Sequence, residues 1–362
     1  MNNDPYKDYI INKEPSKEEK EYAWNTAIGL QKVDGLETSS YLKSLANDNI
    51  NGKLTIEEVK SLIDNYYVEN NNEDERTAEA DKASARITEL LSTNSFTFSS
   101  NEYVDIHKFL FLGIFKHAGK IRDYNISKKE WVLNGDTIIY GSSSNIKKTL
   151  DYDLNMEKNF DYSRLNDDER IKHIARFVSN LWQIHAFGEG NTRTTAVFLI
   201  KYLRKLGYNV NNDLFKENAW YFRNALVRAN YNNYEKKIFE TTKYLELFLR
   251  NLLLKENNEL KNRYLHISFD NGQKANIEDR KADIEDKKTD IELGNYNFTV
   301  KTKENIRKLY GKYYNSFFGR SDVMEVLSLA STRASEFIKQ LLDNKIIIPI
   351  TGHGKGKYIF NI

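Results

Sequence analysis

Residues 185–193 read His-Ala-Phe-Gly-Glu-Gly-Asn-Thr-Arg, and the segments on either side carry helical stripes. Upstream, Ile171, Ile174, Ala175, Val178, Leu181 and Trp182 recur at the three-and-four spacing of one buried helix face. Downstream, Ala196, Leu199, Ile200, Leu203 and Leu206 repeat the pattern, so a short loop between two buried helices is expected. Gly188 and Gly190 let that loop bend tightly and approach a ligand closely. Thr192 is the expected N-cap of the second helix. The free N–H groups and positive dipole end of that helix would point back into the loop as an anion site. Arg193 adds a guanidinium fork suited to phosphate oxygens, which makes polyphosphate the natural guest. Glu189 is a carboxylate for the Mg2+ that accompanies a nucleotide, an ion that takes one or two carboxylates together with phosphate oxygens and water. His185 stands at the loop's entrance, where it can take a proton from an incoming hydroxyl. Asn191 would orient phosphate or the loop backbone, and Phe187 would fix the loop in the core. Singly, each of these residues is ordinary; together they point to nucleotide chemistry.

The chain of 362 residues exceeds one typical domain and points to two or three units, and its 40% hydrophobic content is ample for a core. With 54 basic and 52 acidic residues, a net charge of +2 exerts no global pull toward nucleic acid or membrane. There is no Cys, which excludes disulfides, thiolate metal sites and Cys nucleophiles. The remaining histidines, His107, His117, His173, His266 and His353, show no zinc-ligand spacing. The polar N-terminus lacks a signal-peptide apolar core, and no run approaches the ~18 apolar residues of a membrane helix. A cytoplasmic protein without membrane contact is the expectation. Only 3 Pro, with many Leu, Lys and Glu, favour a mainly α fold.

Ahead of the loop, residues 1–70 read as a small helical module. Ser16 with Glu19 forms a capping-box signal for a helix bearing Tyr22, Ala23, Ile28 and Val33, stopped by Gly35. A second helix lies around Tyr41 to Ala46, and Thr55 with Glu58 caps a third. Asn47, Asn49, Asn51, Gly52 and Glu58 also fall at the ligand spacing of a calcium-binding EF-hand loop. A turn plus a capping box accounts for the same residues. After an acidic, Asn-rich linker at 69–75, helices are expected at about 76–91 and 103–116. Trp131-Val132-Leu133, Asn134-Gly135-Asp136 and Thr137-Ile138-Ile139-Tyr140 read as a β-hairpin, because Asn-Gly between β-branched and aromatic residues is a strong hairpin signal. Beyond the loop, helices continue to about 255, where Tyr221, Phe222 and Asn224 either approach a nucleobase or serve the core.

Ile277, Ile284 and Ile291 recur every seven residues, one apolar residue per heptad where a coiled-coil seam needs two. Residues 256–298 therefore read as a charged spacer, with a weak homodimer seam as the alternative. Residues 299–362 read as three helices, with Ser321 and Thr332 as caps of the second and third. A β-ribbon of Ile346–Ile350 with Tyr358–Ile362 follows, around a basic, glycine-rich loop at 351–357. This unit resembles a winged helix. Its third helix would enter the DNA major groove, yet it carries only Arg333 and Lys339 as cations, so domain packing or protein docking is expected ahead of DNA contact.

The order of residues from His185 to Arg193 resembles the Fic motif, His-Pro-Phe-x-[Asp/Glu]-Gly-Asn-Gly-Arg-x-x-Arg. Ala186, Thr192 and Ala196 depart from it, at the Pro, the second Gly of the motif's Gly-Asn-Gly and the second Arg. The resemblance implies a Fic-type helical core at 71–255 that moves AMP from ATP, with Mg2+, onto a hydroxyl of a target protein. His185 would be the base, Glu189 the metal ligand, and Gly188, Gly190, Asn191, Thr192 and Arg193 the nucleotide-binding residues. Ala118-Gly119-Lys120-Ile121-Arg122 resembles the family's Ala-Gly-x-x-Arg segment. The hairpin would be the flap on which the target docks by strand addition, presenting Trp131, Val132, Leu133, Thr137, Ile138, Ile139 and Tyr140. Residues 1–70 resemble the antitoxin helices of some Fic enzymes, whose inhibitory Glu would correspond to the shorter Asp34, with Leu30 in place of the Ser/Thr. Since Ala196 replaces the partner Arg, the usual inhibitory pair cannot form. Asp34 then either restrains the site through another contact, such as Arg193, or is a solvated helix-end residue. Transfer of another nucleotide, the reverse reaction, phosphate transfer, and a winged-helix regulator with a sensory Fic domain are the alternatives.

Overall fold

The computed structural model describes residues 14–69, 75–211, 213–270, 298–313, 318–349 and 356–361. The isoleucine repeat at 277–293, most of the 69–75 linker, Tyr314 and the 351–355 part of the basic loop lie outside the described residues. The fold is mainly helical with small antiparallel sheets. It divides into one unit ending at Asp270 and a second beginning at Asn271.

In the first unit, α1 (Lys17–Leu30) starts at Ser16, whose hydroxyl accepts from Glu19 N while its own N–H donates to Glu19 Oε2. The reciprocal pair satisfies two N–H groups that a helix start leaves without partners. α1 lies against α4 (Glu75–Ser92) and α9 (Leu214–Arg228). At Gly29 a Cβ would stand 2.5 Å from Lys216 Cα, so only glycine permits the α1–α9 approach. That approach positions the 3-10 turn Gln31–Asp34, which Gly35 ends in the left-handed region at φ 65. Tyr22, Ala23, Ala27, Leu30 and Val33 belong to the same apolar cluster as the helices flanking residues 185–193. The sequence boundary at residue 70 thus falls inside one unit. Only α2 (Ser40–Ile50) and α3 (Ile56–Glu69) form a satellite cluster, with Trp24, Leu42, Val59 and Ile63. There Glu58 Oε2 accepts from Thr55 N and Asn49 Oδ1 from Trp24 Nε1, bonds of a cap and a core contact. The tail of the unit also joins the core, since Leu265 and Ile267, read from sequence as spacer, are buried in it.

The centre is built from α5 (Ser100–Phe111), α7 (Asp167–Ile184) and α8 (Asn191–Lys205). All thirteen residues from Asn191 to Leu203 are buried. A helix enclosed on every face must settle its polar side chains internally. Thr195 Oγ1 lies 2.9 Å from Tyr103 Oη, Thr194 Oγ1 donates to Gly190 O at 2.9 Å, and Lys201 Nζ donates to Leu90 O at 2.8 Å. Thr192 is not the N-cap. Gly190 is, and Thr192 is the second residue of the helix, its hydroxyl accepting from Trp182 Nε1 at 3.0 Å.

The hairpin differs from expectation. β1 is Ser127–Lys129, paired antiparallel with β2 (Thr137–Ile139) in the register Lys128 to Ile138. Trp131–Leu133 form a 3-10 turn instead of a strand, closed by Asn134 at φ 53 and Gly135 at φ 81. Val132 and Leu133 are adjacent and both fully buried, which a two-faced strand cannot arrange.

The second unit runs helix Val300–Tyr313, β3 (Phe318–Gly319), helix Arg320–Leu327, helix Ser331–Asp343, β4 (Ile347–Pro349) and β5 (Lys357–Phe360), with strand order β3-β5-β4. Its core holds Ile306, Tyr310, Val323, Ile338, Leu341 and Phe360. The helix caps are Gly319 and Ala330; Ser321 and Thr332 sit just inside the helices. Arg333 and Lys339 are exposed. Among the described residues no helix is long and apolar enough to cross a membrane.

Candidate active site

A capping box of Asn166 and Glu169 starts α7, which ends where His185 takes the left-handed conformation at φ 50. This conformation is uncommon for a side-chain-bearing residue and turns the chain out of the helix. Arg122, from the Ala-Gly-x-x-Arg segment, holds the turn from below. Its Nε donates to His185 O at 2.7 Å, its Nη2 to Ile184 O at 3.2 Å and to Gly141 O, and its backbone N–H donates to Ala186 O. Phe187 is fully buried, stacked on His107 with centroids 3.7 Å apart. Asn191 closes the loop on itself: Oδ1 accepts from Phe187 N at 2.9 Å and Nδ2 donates to Phe187 O at 2.8 Å. Of the two roles expected for Asn191, the structure gives it the backbone one. Gly190 is forced by proximity, since a Cβ there would meet the Phe111 ring at 2.4 Å, whereas at Gly188 it would meet the end of a side chain, Tyr124 Oη, at 2.7 Å.

The loop opens onto a cavity of about 670 Å³ lined by His185, Gly188, Glu189, Gly190, Asn191, Thr192 and Arg193. The N-terminal turn contributes Val33, Asp34, Gly35 and Leu36, and α4 contributes Arg76 and Glu79. The flap and its connection contribute Ile126, Ser127, Lys128, Lys129, Glu130 and Trp131, α7 contributes Trp182, and α9 contributes Trp220 and Arg223. The first N–H groups of α8, which have no partner within a helix, lie at its wall.

His185 is half-buried. Its ring stacks on Tyr140 at 3.6 Å between centroids and 18° between planes, with Trp182 edge-on at 5.7 Å. Nδ1 has no hydrogen-bond partner. Burial first, and then the cations Arg122, Lys128 and Arg223, push its pKa down to about 3. It is neutral at physiological pH, as a proton acceptor must be.

Arg193 is only 1% exposed and is already occupied. Nη1 donates to Gln31 Oε1 at 3.0 Å and Nη2 to Glu79 Oε1 at 2.6 Å, while Nε lies 2.8 Å from Asp34 Oδ2 in an ion pair without hydrogen-bond alignment. The guanidinium also covers the Phe111 ring at 4.7 Å. The free phosphate fork expected from sequence is therefore a fork held by two carboxylates, and Asp34 is at the site. Across the cavity, Arg223 makes a bidentate pair with Glu130 at 2.7 and 2.8 Å. Lys128, Lys129 and Glu189 line the cavity outside any ion pair among the described residues.

Glu189 is exposed, and among the described residues no group of three His, Asp or Glu side chains could hold a metal alone. A Mg2+ fits here only as a phosphate-borne ion with Glu189 as its carboxylate.

Other expected residues fall elsewhere. Tyr221, Phe222 and Asn224 are core: Tyr221 Oη donates to Tyr244 O, Phe222 packs on Phe215 and Phe248, and Asn224 bonds Asn262. Trp220 and Arg223, on the other face of α9, reach the cavity. Of the expected docking residues, Val132, Leu133, Ile138 and Tyr140 are buried, whereas Thr137 and Ile139 are exposed and Trp131 is half-buried.

Residues 97–203 match the Fic/DOC family model, and this segment of the chain is a Fic domain. A crystal structure of a Fic family protein from Desulfovibrio desulfuricans G20 is similar at a TM-score of 0.41 and 12% identity, covering 94% of this chain and 87% of that one. No curated protein sequence matches the chain.

Proposed function

We propose that the chain is a nucleotidyltransferase that moves AMP from ATP onto a hydroxyl side chain of a target protein. The observation that carries the reading is His185: a neutral imidazole, its Nδ1 without an aligned partner, on the wall of a cavity that ends at the N-terminus of α8. His185 takes the proton of the target hydroxyl. That oxygen then bonds to the α-phosphorus, the bond from the α-phosphorus to its bridging oxygen breaks, and pyrophosphate leaves. The helix N–H groups supply preorganised donors for the charge on the phosphates. Bound Mg2+ would add charge neutralisation through Glu189. The target segment lies along the flap, where Ser127, Lys128, Lys129, Thr137 and Ile139 are exposed, because a strand edge offers backbone bonds with few demands on sequence.

The same reading makes the N-terminal segment a restraint. Gln31 and Asp34, with Glu79 of α4, occupy the cation that phosphates need, so an incoming polyphosphate competes with two carboxylates of the chain itself.

The deciding experiment is transfer of label from α-³²P-ATP to protein in the presence of Mg2+. His185→Ala should lose at least a thousandfold in transfer while keeping its fold and ATP affinity. Undiminished labelling by that variant overturns the mechanism.

A further inference from the structure

Most functional histidines are oriented by a hydrogen bond from the second ring nitrogen to a carboxylate or carbonyl. At His185, Nδ1 is buried without an aligned partner and no described side chain bonds the ring; its one polar neighbour is the Trp182 backbone. Packing must supply the rest of its orientation. One face of the ring is covered by Tyr140 at 3.6 Å and 18°, and Trp182 stands at right angles to it, 5.7 Å away. Trp182 meets Tyr140 edge-on as well, at 5.3 Å and 78°, so the three rings fix one another.

Tyr140 is itself held at three places. Its backbone N–H donates to Ile126 O beside β1. The following residue, Gly141, donates to Gln183 O at 3.0 Å and approaches α7 so closely that a Cβ would lie 3.2 Å from Ile184 O. Its phenol makes a long 3.5 Å bond to Glu130 Oε1, a carboxylate fixed by Arg223. Tyr140 directly follows β2, whose Ile139 carbonyl accepts from Gln183 at 2.7 Å. The flap strand and the end of α7 are thus joined across the residue that covers the imidazole.

We infer that Tyr140 is a positioning residue for His185, and that its aromatic ring, in place of a side-chain hydrogen-bond partner, aims the base and ties its orientation to the flap. The inference rests on the proposed role of His185 as base. Two physical effects favour it. A stacked ring excludes water from one face of the imidazole while restricting its rotation. When the ring takes up a proton, the imidazolium lies over an aromatic face, an arrangement that stabilises a cation. The hydroxyl contributes little, since its bond is at the long limit of the range.

The test uses the full chain labelled with ¹³C-histidine, in wild type, Tyr140→Phe and Tyr140→Leu. The His185 ring proton, identified by its absence in His185→Ala, should be shifted upfield by the stacked ring in wild type and Tyr140→Phe. In Tyr140→Leu that shift should vanish. In label transfer from α-³²P-ATP, Tyr140→Leu should lose at least tenfold in kcat with KM for ATP within about twofold, and Tyr140→Phe should restore at least a third of the wild-type rate. A wild-type His185 signal without an upfield shift, a Tyr140→Leu signal unchanged from wild type, or full kcat in Tyr140→Leu would overturn the inference. The spectra need no substrate, so they test the stacking even if Tyr140→Leu is too unstable to assay. Full activity in His185→Ala would instead mark failure of the proposed mechanism, with the spectra then reporting on packing alone.

Discussion

Arg193 Nε lies 2.8 Å from Asp34 Oδ2, a contact between the helix whose N-terminus lines the cavity and the turn that ends the N-terminal helix. Glu79 holds the same guanidinium at 2.6 Å, from a third element. With Ala196 buried where the family motif carries an arginine, the carboxylates engage the one motif arginine that remains. A buried cation that loses one of two anionic partners keeps a compensating charge, so single removals escape the full 3–5 kcal/mol cost of breaking a buried pair.

Asp34→Ala and Glu79→Gln should therefore fold, and each should free Arg193 in part. Expected are a tightening of ATP affinity and a rise in label transfer, each of about three- to thirtyfold, with the double variant above both singles. Calorimetric ATP titrations that give all three variants the wild-type affinity would show that the contact is no restraint.

Two histidines of the loop region fold with depressed pKa values. His107 falls to about 4, through burial above all, and His185 to about 3, also chiefly through burial. Gly119 N donates to His107 Nδ1 and the other ring nitrogen meets Glu189 O, so the neutral ring with its proton on Nε2 satisfies both bonds. Below the ordinary value of 6.5 the unfolded chain takes up these protons before the native state does. Stability is then complete above about pH 6.5 and falls as the pH drops toward 4 and 3, by at most about 1.4 kcal/mol per pH unit for each ring. Melting temperature followed from pH 7 to 4 should decline through this window. The kcat/KM profile should show no protonation step of the base near 6.5; an acid limb centred there would mean that His185 is solvated.

Gly190 and Gly188 should differ in tolerance. At Gly190 a Cβ meets the Phe111 ring at 2.4 Å with φ at +73, so Gly190→Ala combines a left-handed backbone with overpacking. The sum is about 2–5 kcal/mol. At Gly188 the nearest atoms are the ends of the Tyr124 and His117 side chains, at 2.7 and 3.1 Å, which can move. Urea denaturation should rank Gly190→Ala as clearly the less stable; equal midpoints would refute the packing account.

The helices around residues 185–193 are legible because the apolar stripes have the helical period and the two glycines mark the break. Helical phase is harder to read. On α9, Tyr221, Phe222 and Asn224 point inward, while Trp220 and Arg223, three residues apart, reach the cavity. A rotation of about 100° per residue decides between them, and a helix rich in aromatics on several sides leaves that rotation open. Glu79 and Gln31 carry no local signal either, because each meets Arg193 only through tertiary packing, Gln31 after the α1–α9 approach at Gly29 and Glu79 through the contact of α4 with α8. The flap error has a local origin: Asn134-Gly135 does form a tight turn with two positive φ angles, but it closes a 3-10 turn, and β2 finds its partner farther upstream.

The enclosure of α8 has an electrical consequence. Surface helices lose much of their dipole field to water and salt along their length, whereas thirteen consecutive residues here are sheathed in low-dielectric packing. The field emerges mainly at the Gly190 end, into the cavity. Ionic strength, which screens exposed charges within a Debye length of about 8 Å in physiological salt, would weaken surface cations such as Lys128 and Lys129 far more than this helix end.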